Sequence, residues 1–371
     1  MAFEDRRKIF ERIEELRGGR TLVCFFNFDR ESSPLLPGLT TQFYADVKEP
    51  LFRVLKESGV TKGIDLCVHT RGGDINSVWP LVSLLREFDQ DFEVLVPFRC
   101  HSSGTLLALG ANRIVLGPLS ELSPIDPTTG NQFNPVDPVN PTQRMAIAVE
   151  DVNAFRKFVL EQFGLPSDAK DALPKESIER LAQCLDRLMS QVHPLALGNV
   201  HRVHAQIKVL AANLLGLRSP GAENKFDNVV KSLTSRFYSH LHMINRHEAK
   251  EILGERVVFA PDKVALALDD LLRSYEMSFD LRHPFLLFSH MGNKAEDDVR
   301  FVGGVVESKS WSYLNELSGH VRIHSRLPPN VQIQIPPGQP MPLVPGLPKE
   351  SELEIVRQGW YFNKEPKGVT K

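Results

Sequence analysis

Several features common in membrane, secreted and metal-binding proteins are missing from this 371-residue chain. No run approaches the roughly 18 consecutive apolar residues of a membrane span. The opening Met1-Ala2-Phe3-Glu4-Asp5-Arg6-Arg7 is charged and lacks the apolar core of a secretory signal. A soluble, cytoplasmic protein is the expectation. Cysteine is scarce, and Cys24, Cys67, Cys100 and Cys184 contain no CxxC spacing. Three of them fall in or just after expected core strands, where a reduced cysteine acts as a small hydrophobe. Charge of one sign is also lacking: the formal net charge is −2, which supplies no electrostatic attraction to nucleic acid or an anionic membrane. No HExxH is present. Six of the 12 histidines lie between residues 193 and 247, with His201 and His204 on one helix face, yet no carboxylate completes a ligand set. These histidines read as surface or capping residues, and neither metal nor cofactor is expected.

At 42% hydrophobic and 24% charged residues, the composition is that of a globular protein large enough for one core domain with attached elements. Residues 4–17 place Ile9, Phe10, Ile13 and Leu16 at helical spacing, stopped by Gly18-Gly19. Strands are expected at 21–28, 64–70, 92–98 and 113–116, with helices at 41–57, 75–88 and 102–111. Continuous apolar strands alternating with helices indicate a mostly parallel sheet covered on both faces. Residues 117–143 carry prolines at 118, 124, 127, 135, 138 and 141, and read as a long ordered loop. Helices are expected at 148–163, 176–190, 195–215, 225–240, just after Asn245 and at 261–275, with a short strand at 257–259. Residues 297–324 alternate in places and suggest a small sheet or flap, while 328–348 is proline-rich and extended. The division expected is 1–143 as the first part of the core, 144–280 as a helical region completing it, and 281–371 as a C-terminal extension.

Three features of one type of active site occur in order between Ile64 and Pro127. The strand ending at Thr70 runs into Arg71-Gly72-Gly73-Asp74, where glycine can expose main-chain N–H groups to an anion. The next strand leads to Cys100-His101-Ser102-Ser103-Gly104-Thr105 and an apolar helix. The segment then closes with Ser123-Pro124-Ile125-Asp126-Pro127. A serine at a strand-to-helix turn beside such donors suggests acyl transfer. Ser102 is also a natural N-cap, and Ser103 is a rival nucleophile by local chemistry. Cys100 and His101 point to opposite sides of an extended segment and make no pair. Asp126, flanked by prolines, reads as a turn residue.

The set HTRGGD, SSGTLLALGANRIVL and SPIDP resembles the signal-peptide-peptidase A branch of the Clp/crotonase superfamily, most of all the serine dehydrogenase proteinase family. The matching residues are Thr70, Gly72, Gly73, Ser102, Gly104, Thr105, Pro124, Ile125, Asp126 and Pro127, over about residues 60–130, with weaker agreement at 193–215 and 240–254. The resemblance implies an α/β fold with a Clp/crotonase-like repeated ββα core and a helical C-terminal extension. It also implies Ser102 as nucleophile, since Ser103 stands where the family has Ala, and an oxyanion hole from Gly72, Gly73 and Ser103. A lysine base from helical sequence after the core is implied as well. Lys157 and Lys208 are candidates; His201, in the stretch aligned with the family's helix, is a third. The histidine of Clp proteases, some two dozen residues beyond the serine, has no counterpart within Ser123–Asp126.

The function expected is peptide or unfolded-protein hydrolysis, a Ser–Lys or Ser–His serine peptidase. The resemblance implies a homo-oligomer with sheltered sites. Two other readings share the fold: an inactive scaffold or partner-binding module, and a crotonase-like acyl-CoA enzyme. The Ser-Ser-Gly-Thr run argues against the last.

Overall fold

A computed structural model describes residues 3–28, 40–126, 128–138, 143–162, 175–218, 226–237, 239, 241–283, 285–326 and 346–363. Helix α1 (Phe3–Leu16) buries Phe10 and Ile13 and ends at Gly18 and Gly19, both at positive φ, where a Cβ would be strained. Strand β1 (Thr21–Asn27) is buried at every position. A short 3₁₀ turn precedes α2 (Lys48–Ser58), and the chain continues as β2 (Ile64–His69), α3 (Val78–Phe88), β3 (Phe92–Val96), β4 (Arg99–Cys100), α4 (Ser103–Leu109) and β5 (Ile114–Leu116). Among the described residues the proline-rich stretch contributes the short strands β6 (Glu121–Leu122) and β7 (Thr128–Thr129), and β8 (Ile147–Ala148), just beyond it, pairs with β7. Helices α5 (Val149–Gln162), α6 (Lys175–Gln191), α7 (Pro194–Gly216) and α8 (Asp227–Ser235) follow. Then come β9 (Ile244–Asn245), α9 (Arg246–Leu253), β10 (Val257–Phe259), α10 (Asp262–Phe279) and α11 (Leu287–Met291).

The chain does not stay helical to its end. Long strands β11 (Glu296–Glu307), β12 (Ser312–Ser325) and β13 (Lys349–Phe362) form an antiparallel meander. Residues 297–324 are therefore part of the main sheet and not a separate small sheet or flap, because β11 pairs antiparallel with β1, Cys24 opposite Glu307. The eight-stranded order is β10-β5-β3-β2-β1-β11-β12-β13, and the first five strands are parallel. Of the proline-rich run 328–348, residues 328–345 lie outside the described residues.

Strand alternation divides the core into two clusters. Val23 and Phe25 of β1 join Leu66 and Val68 of β2 under α2, α3, α4 and α7. Leu22, Cys24 and Phe26 face the other way, towards Phe10, Ile13 and the α10 residues Leu268 and Leu271. Strands buried on both faces read as unbroken apolar runs, which is why the sequence shows no period-two pattern there. Among the described residues no helix is long and apolar enough to cross a membrane.

Candidate active site

In an open parallel sheet, loops at the carboxyl ends of the strands form the crevice where ligands bind. Here β2 delivers Thr70–Asp74 to that edge, and β3 with β4 delivers Cys100–Ser103. Thr70 N–H donates to Arg99 O at 2.9 Å and His101 N–H to Thr70 O at 3.0 Å, so the two loops are laced together.

Both glycines of the first loop are required by close approach. Gly72 has φ +106°, and a Cβ there would stand 2.9 Å from Ser102 Cβ. A Cβ on Gly73 would lie 2.0 Å from Phe43 O. Phe43 holds the loop as an added strand would, donating to Gly72 O at 3.2 Å and accepting from Asp74 N–H at 3.0 Å. Gly72 N–H donates to Thr70 Oγ1 at 3.0 Å, and that hydroxyl donates to Asn27 Oδ1 at 2.7 Å. Ser103 Oγ donates to Gly73 O at 2.6 Å. The N–H groups of Gly73 and Ser103 have no hydrogen-bond acceptor among the described residues.

Ser102 sits in the turn into α4 with φ 52° and ψ −116°. Among the described residues it is one of two non-glycine residues at positive φ, with Asp280. Such a conformation costs on the order of 1–3 kcal/mol and persists only where the surroundings over-determine it. The surroundings are visible. Ser102 N–H donates to Ser123 Oγ at 2.7 Å, Ser123 N–H donates to Thr105 Oγ1 at 3.0 Å, and Thr105 Oγ1 donates to Cys100 O at 2.7 Å. Gly104 admits Thr70 against the helix, since a Cβ would meet Thr70 Cγ2 at 2.6 Å. Ser102 does not cap α4 with its side chain, and it is half-exposed while His101 and Ser103 are buried. A strained serine lifted out of a strand-to-helix turn is the geometry that presents a nucleophile. Ser103 is held inward by Gly73.

Cys100 is buried, which pushes its thiol up, and it carries no nucleophilic role. His101 turns to Glu121, with Nε2 at 3.4 Å from the carboxylate. Among the described residues no three His, Cys, Asp or Glu side chains are grouped to hold a metal.

Ser102 Oγ has no hydrogen-bond partner among the described residues. Lys157 is half-buried on α5, while His201 and Lys208 are exposed on α7. The histidine cluster is not uniformly superficial. His193 does cap α7, accepting from Leu195 N–H at 3.1 Å. His204, however, lies on the stripe of Val200, Ile207 and Ala211 that faces the core, and its Nε2 is sealed from solvent. Burial lowers its pKa, Lys208 and His201 add to the effect, and Asp126 and the Thr234 backbone oppose it. Asp126 is itself buried, so its place is an interior one. Ser123 is a residue that the sequence does not single out, whereas His204, expected at the surface or in a cap, is half-buried. Ser123 heads the SPIDP motif, and His204 keeps step with the apolar stripe of its helix.

The fold is ClpP-like: a mixed α/β protein built on one large central sheet. Residues 1–142 match the family of ClpP-like SDH-type serine proteinases, the region that contains the glycine loop, Ser102 and Asp126. An uncharacterized protein of the archaeon Methanocaldococcus jannaschii is 28% identical over 120 residues, covering 32% of this chain and 42% of the relative. A second uncharacterized protein of that archaeon is 25% identical over 127 residues, covering 34% and 42% respectively. The chain thus matches well under half the length of these curated relatives.

Proposed function

We propose that this protein is a serine peptidase acting on peptides or unfolded protein, with Ser102 as nucleophile. The observation that carries the reading is the strained backbone of Ser102, held by Ser123 and set against a glycine whose Cβ would collide with it. Ser102 Oγ attacks the substrate carbonyl. The N–H groups of Gly73 and Ser103 then receive the developing oxyanion, being donors without an acceptor among the described residues. Gly72 serves the hole differently, as the turn residue whose own N–H is tied to Thr70. In this reading Ser103 orders the hole through its bond to Gly73 O and is not the nucleophile.

The reading also carries a homo-oligomer that shelters the site. A groove beside the glycine loop, lined by Ile75, Trp79, Val209 and Leu210, offers apolar surface next to the reacting centre for a substrate side chain. Reaction of the purified protein with a fluorophosphonate probe, followed by peptide mapping, tests the reading. Modification is expected at Ser102, lost in Ser102→Ala and kept in Ser103→Ala. A folded protein that takes up no probe at Ser102 would sink it.

A further inference from the structure

The end of the sheet opposite Ser102 carries charges that peptide hydrolysis does not use. Ser102 follows β3 and β4, whereas Arg20, Asp91 and Arg113 immediately precede β1, β3 and β5. A cavity of about 390 Å³ opens among them, and every residue lining it is charged or an amide. Two of its arginines are neutralised. Arg17 donates to Asp65 at 2.7 Å and to Glu93 at 2.6 Å, and Arg20 donates to Asp65 and to Asp91, each at 2.6 Å. The other two are not. Arg113 stands 3.8 Å from Glu93, a carboxylate that Arg17 already engages. Arg218 donates to Asn112 O at 3.0 Å and meets no carboxylate among the described residues.

Two further arginines add charge of the same sign. Arg86, in the last turn of α3, donates to Gly110 O at 2.8 Å and to Asn112 Oδ1 at 3.1 Å, and Arg256 donates to Leu215 O. Helix C-termini favour such cations, which accounts for the bonds to Gly110 and Leu215. It does not account for Arg256 Nη1 and Arg86 Nε, which are sealed from solvent with no hydrogen-bond partner among the described residues. Arg256 is only 8% exposed. Burial pushes its pKa down to about 10, and the charges of Arg218 and Arg86 add to the effect. Like charges drawn out of water without a counter-ion are costly, and an anion placed among them offsets that cost.

We propose that this cavity binds a phosphate group, free or carried by a small molecule, held by Arg113 and Arg218 and favoured by the nearby charges of Arg86 and Arg256. Guanidinium forks suit the several oxygens of a phosphate. A charge of about −2 gains more from a group of cations than a single carboxylate would. The cavity falls within the roughly 300–1,000 Å³ of small-molecule sites, which leaves room for an organic body. Exposed Asp91 keeps lone pairs for a hydroxyl group of that body. The site lies at the other end of the strands from Ser102, so it stands whether or not Ser102 is a nucleophile.

Equilibrium dialysis of the full chain against radiolabelled inorganic phosphate, at constant ionic strength, tests this. Saturable uptake is expected, displaced by unlabelled glycerol 3-phosphate. Displacement at a lower concentration than unlabelled phosphate requires would assign the site to a phosphate ester, and at a higher one to the free ion. Arg113→Gln combined with Arg218→Gln should weaken uptake at least tenfold, the loss expected when charge-assisted bonds of about 1.5–3 kcal/mol are removed. Both side chains are exposed, so the double variant keeps the fold. Arg7→Gln, which removes an exposed arginine of α1 paired with Glu11, is the control and should bind as the parent does. Ser102→Ala should also bind as the parent does, which separates this outcome from the peptidase reading. Uptake that does not saturate, or that the double variant retains in full, would overturn the site.

Discussion

Ser123 Oγ accepts the main-chain N–H of Ser102 at 2.7 Å, across 21 residues of chain. Ser123 itself is buried, and the bond is part-buried. It lies at the one place in the described site where a non-glycine backbone is held at positive φ. A peptide in that conformation relaxes unless both its sides are held, and Ser123 holds one of them.

Ser123→Ala should therefore release Ser102. The lost bond leaves a part-buried N–H unsatisfied, worth about 1–3 kcal/mol of stability. The labelling rate at Ser102 should fall at least tenfold, because the serine relaxes out of its presenting turn. Urea unfolding measures the first effect and probe kinetics the second; a variant as reactive as the parent would show that Ser123 has no part in the presentation.

Gly73→Ala should be far more harmful than its size suggests. Its Cβ would meet Phe43 O at 2.0 Å, and backbone has no rotamer with which to yield. Loss of labelling together with a destabilisation on the order of 2 kcal/mol or more is expected, by the overpacking that a close-packed interior resists. Gly130→Ala, with nothing within 4 Å of its Cβ and no positive φ, is the matched control and should behave as the parent does.

Arg6 and Glu307 form a buried pair at 3.0 Å, joining α1 to the strand that extends the sheet beyond β1. Tyr275 of α10 also donates to Glu307. Arg6→Ala leaves that carboxylate buried without its cation and should cost about 3–5 kcal/mol. The pair Arg6→Met with Glu307→Gln, which removes both charges, should recover much of the loss. Equal melting temperatures for the two variants would contradict this account.

His69 makes the fold acid-sensitive. It is buried between Phe26 and Phe98, and burial, with Arg99, His101 and Arg71 nearby, pushes its pKa down to about 3. Between the ordinary 6.5 and about 3 the unfolded chain binds the proton and the folded one does not. Stability contributed by neutral His69 is thus full above 6.5 and lost as pH falls through that window, at up to about 1.4 kcal/mol per pH unit. His69→Phe keeps the aromatic packing and should flatten the unfolding free energy across it; an unchanged slope would remove His69 as the cause.

Much of the fold and part of the site can be read in the sequence. The runs 21–27, 64–69 and 92–96 announce buried strands, because both their faces are covered. The glycines of RGGD mark a turn whose close approaches the structure then displays. The edge of the sheet was harder to read. The alternation in 297–324 signals strand, but local pattern does not say which sheet a strand joins. His204 shows the same limit within one helix. Val200, His204, Ile207 and Ala211 share a face, and histidine suits a wet face as well as a dry one.

By itself the sequence determined the order of strands and helices and the two loops that carry glycine and serine. Those follow from apolar runs, turn residues and steric limits acting over a few neighbours. Only the tertiary structure decided that Ser123 would brace Ser102, that Phe43 would leave room for nothing but hydrogen at Gly73, and that His204 and Asp126 would share an interior. Such contacts join segments tens of residues apart. Their geometry is set by how helices pack on the sheet, and no local pattern encodes it.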